Sequence, residues 1–190
     1  MQKYIVEFIG TFFLVLTIGL VVIEPGAGVL APVAIGCVLI GMIYAGGHIS
    51  DAHYNPAVTR AFWMRGRCDT KDVLPYIVAQ LFAAVDAALI VLFLKSGSTI
   101  SAGSPEILPA LLAELLFTFA LAFVILNVAT SKHTAGNSYY GLAIGFTVLA
   151  GAFAVGGISG GAFNPAVAVA ITVMGLSSIA NIWIFLDMLF

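Results

Sequence analysis

Between Gly47 and Arg60 the chain reads GHISDAHYNPAVTR, gathering two histidines, an aspartate, a serine and an asparagine into one short run. These residue types bind metals, move protons and hydrolyse esters, and each chemistry sets a demand on spacing. A metal site from His48, Asp51 and His53 needs a further ligand and a backbone that brings the three donors to one point. No regular helix places that spacing on one face, and no fourth ligand is evident. Ser50 close to a histidine evokes a hydrolase, but no recognisable nucleophile motif surrounds it. Asp51 beside His53 is a candidate pH-dependent gate, since a neighbouring carboxylate moves imidazole titration within the physiological range; the alternative is a solvated acid or a partner for Arg60. Cys37 and Cys68 are far apart and match no metal or redox spacing.

The end of the run has a more definite physical meaning. Asparagine is a preferred helix N-cap, and proline is tolerated at the first helical position because its missing N–H has no intrahelical partner there. Asn55-Pro56-Ala57 therefore opens a helix, and so does the second triplet, Asn164-Pro165-Ala166. The apolar residues after each triplet suffice only for a short helix that does not cross a bilayer. HISDAHYNPAV is echoed by GISGGAFNPAV 109 residues later, and EFIGTFFLVLTIG from Glu7 by ELLFTFALAFVIL from Glu114, 107 residues later. Both pairs belong to one duplication.

Positioning these turns requires a membrane framework. Hydrophobic residues make up 62% of the chain and charged residues only 8%, far from the roughly 25% charge of a soluble domain. The mean hydropathy is +1.13. The charges are scattered, giving no patch for a nucleic acid. Apolar stretches near residues 4–23, 31–46, 73–94, 107–129, 139–156 and 177–190 predict six transmembrane helices, each needing about 20 residues to cross the hydrocarbon. The last reaches only about 21 Å at 1.5 Å per residue, which predicts that the true C-terminus lies beyond Phe190. The first could be read as a cleaved signal peptide, but Glu7 interrupts it and no cleavage pattern is clear.

Three helices per half is an odd number, so the halves run in opposite directions through the membrane. The expected fold is an all-α membrane protein of six transmembrane helices plus two half-helices in an inverted repeat. One domain covers 1–190, with repeat one at 1–96 and repeat two at 107–190. If the helices alternate, Lys3, Arg60, Arg65, Arg67, Lys71 and Lys132 share one side and Lys95 the other, placing the N-terminus in the cytoplasm.

The half-helices would then meet N-terminus to N-terminus at the midplane, each end carrying roughly half a positive charge. Irregular backbone at that depth must line a watery cavity or be enclosed by protein. A path with this potential and two asparagine amides repels cations, hydronium included. It accepts uncharged molecules and interrupts proton relay along a file of waters.

With its two NPA boxes, the first-loop sequence HISDAHYNPAVT and the glutamates of the first and fourth helices, the chain resembles the aquaporin, or major intrinsic protein, family over nearly its whole length. The resemblance implies a homotetramer with one pore per subunit in the plasma membrane, passive flow, no cofactor and no enzymatic activity. It implies that Glu7 and Glu114 accept hydrogen bonds from the backbone of the re-entrant loops, against the alternative that they carry protons. His48 is expected near the cytoplasmic mouth, and His53 is expected to bond loop backbone. The family's spacing assigns the constriction filter to Ile35, Ala152, Gly161 and Val167. The departure is at Val167, where most members carry arginine; SGGAFNPAVA is similar in this to tonoplast intrinsic proteins, although Ile35 stands where those carry histidine. Such a constriction is wider and less polar than a strict water filter and fits water with ammonia, urea or glycerol-like solutes. An ion-coupled secondary transporter is the rival reading, because it also uses inverted repeats and broken helices. Gly141 and Gly145 form a small-xxx-small pair for close helix approach, within the subunit or between subunits. Asp187 is an acid of unassigned role in the last apolar segment.

Overall fold

The computed structural model describes residues 1–186, and all of its regular elements are helical. In order they are α1 (Gln2–Val22), α2 (Ala31–Ser50), α3 (Pro56–Met64), α4 (Thr70–Leu94), α5 (Ile107–Thr130), α6 (Tyr140–Ser159), α7 (Pro165–Val173) and α8 (Ile182–Leu186). Among the described residues five helices are long and apolar enough to span a bilayer: α1, α2 with the preceding turn from Gly28, α4, α5 and α6. The sixth expected span starts with α8; residues 187–190, including Asp187, lie outside the described residues. The polar run that looks like a loop in the sequence is partly helix. Gly47–Ser50 completes the last turn of α2, and α6 likewise continues to Ser159, beyond the apolar stretch that ends near 156.

α1 packs on α2 and α4, and α6 packs on α2 and α5. α7 lies against α4, and α3 between α4 and α5. The contact between α2 and α6 depends on small residues. A Cβ at Gly36 would lie 3.1 Å from the Gly145 carbonyl oxygen, and one at Gly141 would lie 2.9 Å from the Tyr44 ring. The pair Gly141 and Gly145 thus serves contact inside the subunit, where backbone approaches backbone. On α4, Ala83, Ala84, Ala87 and Ala88 are fully buried, a small-residue stripe with room for close packing.

α3 and α7 are nine residues each, about 13 Å at 1.5 Å per residue, less than half of the hydrocarbon thickness. Both start as the sequence predicts. Asn55 (φ −160°, ψ 123°) and Asn164 (φ −158°, ψ 114°) are extended N-caps, and each side-chain oxygen accepts from the backbone N–H two residues on, at 2.9 Å. Proline follows in both at the first helical position, where no donor is lost.

Candidate functional site

The segments leading into α3 and α7 have matching backbone. Asp51, Ala52 and Tyr54 have φ of 62°, 50° and 49°; their counterparts Gly160, Gly161 and Phe163 have 96°, 66° and 48°. Left-handed residues in this order turn the chain from helix C-terminus to half-helix N-terminus. Asp51 is the C-cap of α2, where Gly160 caps α6. A short polar side chain tolerates this region better than most, which accounts for the aspartate. Asp51 is exposed, and among the described residues it forms no ion pair with Arg60 and no hydrogen bond with His53.

Each segment hangs on a glutamate from a long helix. Glu7 of α1, fully buried, accepts from Ser50 Oγ (2.7 Å) and His53 N (2.9 Å) at one oxygen, and from Tyr54 N (2.7 Å) and Gln80 Nε2 (2.8 Å) at the other. Glu114 of α5, also fully buried, accepts from Ser159 Oγ (2.6 Å), Ala162 N (3.0 Å) and Phe163 N (2.7 Å). Every partner donates, so an acceptor-only carboxylate suits both places. These bonds satisfy N–H groups that have no helical partner and no lipid-compatible alternative.

The two turns are also tied to each other. Asn55 Nδ2 donates to the Phe163 carbonyl at 2.8 Å, and Asn164 Nδ2 to the Tyr54 carbonyl at 2.9 Å. An amide nitrogen has two protons. One on each asparagine holds the opposite turn, and the other is left for whatever occupies the space between them.

That space is a cavity of about 190 Å³. Asn55, Asn164 and the segments 52–54 and 160–163 line it on one side. Facing them are apolar side chains from the long helices, among them Leu14, Leu39, Leu121 and Ile144. Ile35, Ala152, Gly161 and Val167 all border this same cavity, and none brings a charge. At roughly 30 Å³ per water the volume accommodates about six molecules.

His53 also lines the cavity, but in a different role from the expected one. Its backbone N–H goes to Glu7, while its ring bonds a side chain: Nδ1 lies 3.1 Å from Thr59 Oγ. Thr59 Oγ in turn contacts the Asn55 carbonyl (3.1 Å) and Gln80 Nε2 (3.0 Å). Donation from Thr59 to the carbonyl, with acceptance from Gln80 and Nδ1–H, satisfies all three. His53 Nε2 is buried and has no protein partner among the described residues. His48 is exposed on the last turn of α2, and among the described residues it makes no hydrogen bond to the loop. The support expected of it comes instead from Ser50 and Gln80.

Gln80 is the residue that sequence reasoning missed. It is fully buried in α4 and joins Glu7 to Thr59. Its signal was a four-residue spacing, Asp72, Tyr76 and Gln80, which puts three polar groups on one buried face of the helix. Asp72 pairs with Lys3 and accepts from Tyr4 Oη at 2.6 Å; Tyr76 Oη donates to the Ser50 carbonyl at 3.1 Å. Together they fasten α4 to α1 and to the end of α2. Ligand-like clusters of His, Cys, Asp and Glu suited to a metal ion are absent among the described residues.

A family profile described as major intrinsic protein matches residues 1–187. The chain belongs to the major intrinsic protein family. Similar proteins include Aquaporin NIP1-4 of Oryza sativa subsp. japonica, 35% identical over 197 residues, covering 98% of this chain and 71% of that protein. Glycerol uptake facilitator protein-like 6 of Lactiplantibacillus plantarum is 36% identical, covering 98% of this chain and 90% of that one. In fold the chain is similar to the aquaglyceroporin from Plasmodium falciparum, with a TM-score of 0.77 and 23% identity over 99% of this chain and 88% of the other. As a member of the major intrinsic protein family it is an integral, multi-pass membrane protein, and the family's members are channels.

Proposed function

We propose that the chain is a passive channel for water and small uncharged solutes of the ammonia, urea and glycerol class, excluding ions and protons. The observation that carries this reading is the cavity between the two half-helix N-termini, apolar on one side and bordered on the other by two asparagines with one free amide proton each. Two positive helix ends repel cations there. The amide donors and loop carbonyls replace part of a passing molecule's hydration, and the apolar wall holds it weakly enough to leave. A relative named as a glycerol uptake facilitator supports solutes beyond water.

Asn55, Pro56 and Ala57 with Asn164, Pro165 and Ala166 form the central barrier in this reading. Ile35, Ala152, Gly161 and Val167 set the width at one end, and Glu7 and Glu114 hold the loops. Without arginine at 167 the constriction lacks a guanidinium with five donors, so it is permissive. An ion-coupled transporter is not favoured: Glu7 and Glu114 are engaged by loop donors, and neither lines the cavity. The functional unit is a homotetramer with a pore in each subunit, set in the plasma membrane with its N-terminus in the cytoplasm, as the basic residues indicate. One channel domain spans 1–190, built from repeats 1–96 and 107–190.

Stopped-flow light scattering on proteoliposomes tests this, comparing water, ammonia, urea and glycerol for wild type and Val167→Arg. Wild type passes solutes that the arginine variant excludes. A wild type that conducts water alone, with Val167→Arg unchanged in solute profile, would overturn the permissive pore. Dependence of flow on a sodium or proton gradient would overturn the channel.

A further inference from the structure

α4 carries a second polar feature, on the face turned away from its buried one. Leu74, Val78, Phe82, Asp86, Ile90 and Phe93 recur at three- and four-residue spacing and form an exposed stripe along the helix. Five of the six suit contact with lipid. Asp86 does not.

Its depth makes the carboxyl costly. Asp86 lies fourteen residues beyond Asp72 and nine before Lys95, the charges that bracket the apolar part of α4, so about 21 Å and about 14 Å separate it from them at 1.5 Å per residue. The bond from Gln80 Nε2 to Thr59 Oγ fixes the register of α4 against α3. Thr59 stands four residues past Asn55, and α4, running back the other way, reaches Asp86 six residues past Gln80. About 6 Å out and about 9 Å back bring Asp86 within about 3 Å of the level at which the two half-helices meet. An ionisable group at that depth ordinarily faces a bundle interior or a watery cavity and has a partner. Asp86 is exposed, does not border the cavity between the half-helices, and among the described residues forms no ion pair or hydrogen bond. Its side chain is too short to carry the charge to either interface, as lysine and arginine do.

The chain itself brings no cation to that level. Lys95 Nζ is engaged at the helix end, donating to the Ile23 carbonyl at 2.9 Å and to that of Pro25. Arg60 follows Thr59 in α3 and so lies further from the midplane than Gln80. The remaining lysines and arginines stand at helix ends or between helices. A second copy in the same orientation would therefore set apolar side chains against Asp86.

We propose that the exposed stripe of α4 docks a transmembrane helix of a different protein, one that carries a lysine or arginine near its middle, and that Asp86 recognises that cation. Phe82 and Ile90, one turn to either side, supply the packing, and the ion pair forms where lipid offers neither charge a partner. The proposal needs the membrane setting and is independent of what the channel conducts.

Fluorescence energy transfer in vesicles tests it, between the labelled full chain and labelled model helices of leucine and alanine. One helix has a single central lysine, a second has leucine there, and a third has the lysine at its end. The expected result is association of wild type with the central-lysine helix about tenfold tighter than with the other two, as for one polar pair between helices in lipid. Asp86→Leu loses this preference and Asp86→Glu keeps it. The leucine variant melts no lower than wild type, since it removes a charge from lipid. Equal association of wild type with all three helices, or a preference that Asp86→Leu retains, overturns the proposal. So does self-association of the chain that depends on Asp86 and that the central-lysine helix fails to displace, which would make a second copy the occupant.

Discussion

Glu7→Gln is the sharpest perturbation of the first re-entrant segment, because it keeps the shape of the side chain and changes only what one atom can do. Four donors converge on the carboxylate: Ser50 Oγ and His53 N on one oxygen, Tyr54 N and Gln80 Nε2 on the other. A glutamine retains one oxygen and presents an NH₂ in place of the other. With the NH₂ toward the Ser50 side, the serine hydroxyl turns to accept, but the His53 N–H faces a donor. With the NH₂ on the other side, Gln80 turns its amide and gives up its donation to Thr59, and the Tyr54 N–H is stranded. Each orientation leaves one buried backbone N–H unsatisfied, at about 1–3 kcal/mol. The remaining bonds also lose their charge assistance and weaken. A net loss of about 2 kcal/mol lowers the melting temperature by about 4–8 °C for a chain of this size. The assay is thermal unfolding of purified protein in detergent, paired with water permeability in proteoliposomes, which falls as the loop shifts. If the variant melts with wild type and conducts water equally, Glu7 does not hold the loop. If only proton movement changes, it is a proton carrier after all.

Three further outcomes follow from the same geometry. Asn55→Ala and Asn164→Ala each remove a cap and strand the opposite carbonyl, at about 1–2 kcal/mol apiece; because each holds the other's turn, a double-mutant cycle in thermal stability departs from additivity. Gly10→Ala places a carbon inside the ring of Tyr54, itself 1% exposed and fixed by its bond to the Met42 carbonyl, so the variant loses about 3 kcal/mol or more and accumulates poorly in the membrane, as quantitative immunoblotting reads. Ala52→Gly relieves a left-handed alanine at φ 50° and raises the melting temperature by the equivalent of about 1 kcal/mol, as thermal unfolding in detergent reads.

Much of the site was legible because its signals are local or repeated. Asn55 and Asn164 announce their half-helices through a cap and a proline, a rule that operates over a few residues. The duplication exposes Glu7 and Glu114 as a pair, and a paired acid argues for support in both halves. Helix ends were less legible: hydropathy stops at Gly46, yet Ser50 is still helical, since its hydroxyl reaches Glu7 from the last turn of α2. Gln80 carries a spacing signal in α4 but no counterpart triplet to draw attention to it. The role of His53 was misread because the ring's partner, Thr59, lies in the helix that follows the turn.

By itself, the sequence determined the membrane setting, the inverted duplication, the half-helix starts and the uncharged residue at 167, all of which follow from composition, caps and periodicity. Tertiary structure decided which polar groups meet. The bonds that hang each turn on its glutamate and tie the two turns together join residues 43 to 110 positions apart, from Ser50 to Glu7 up to Asn164 to Tyr54. Nothing in local propensity fixes such pairs. They form because lipid supplies no alternative partner for a buried N–H or C=O.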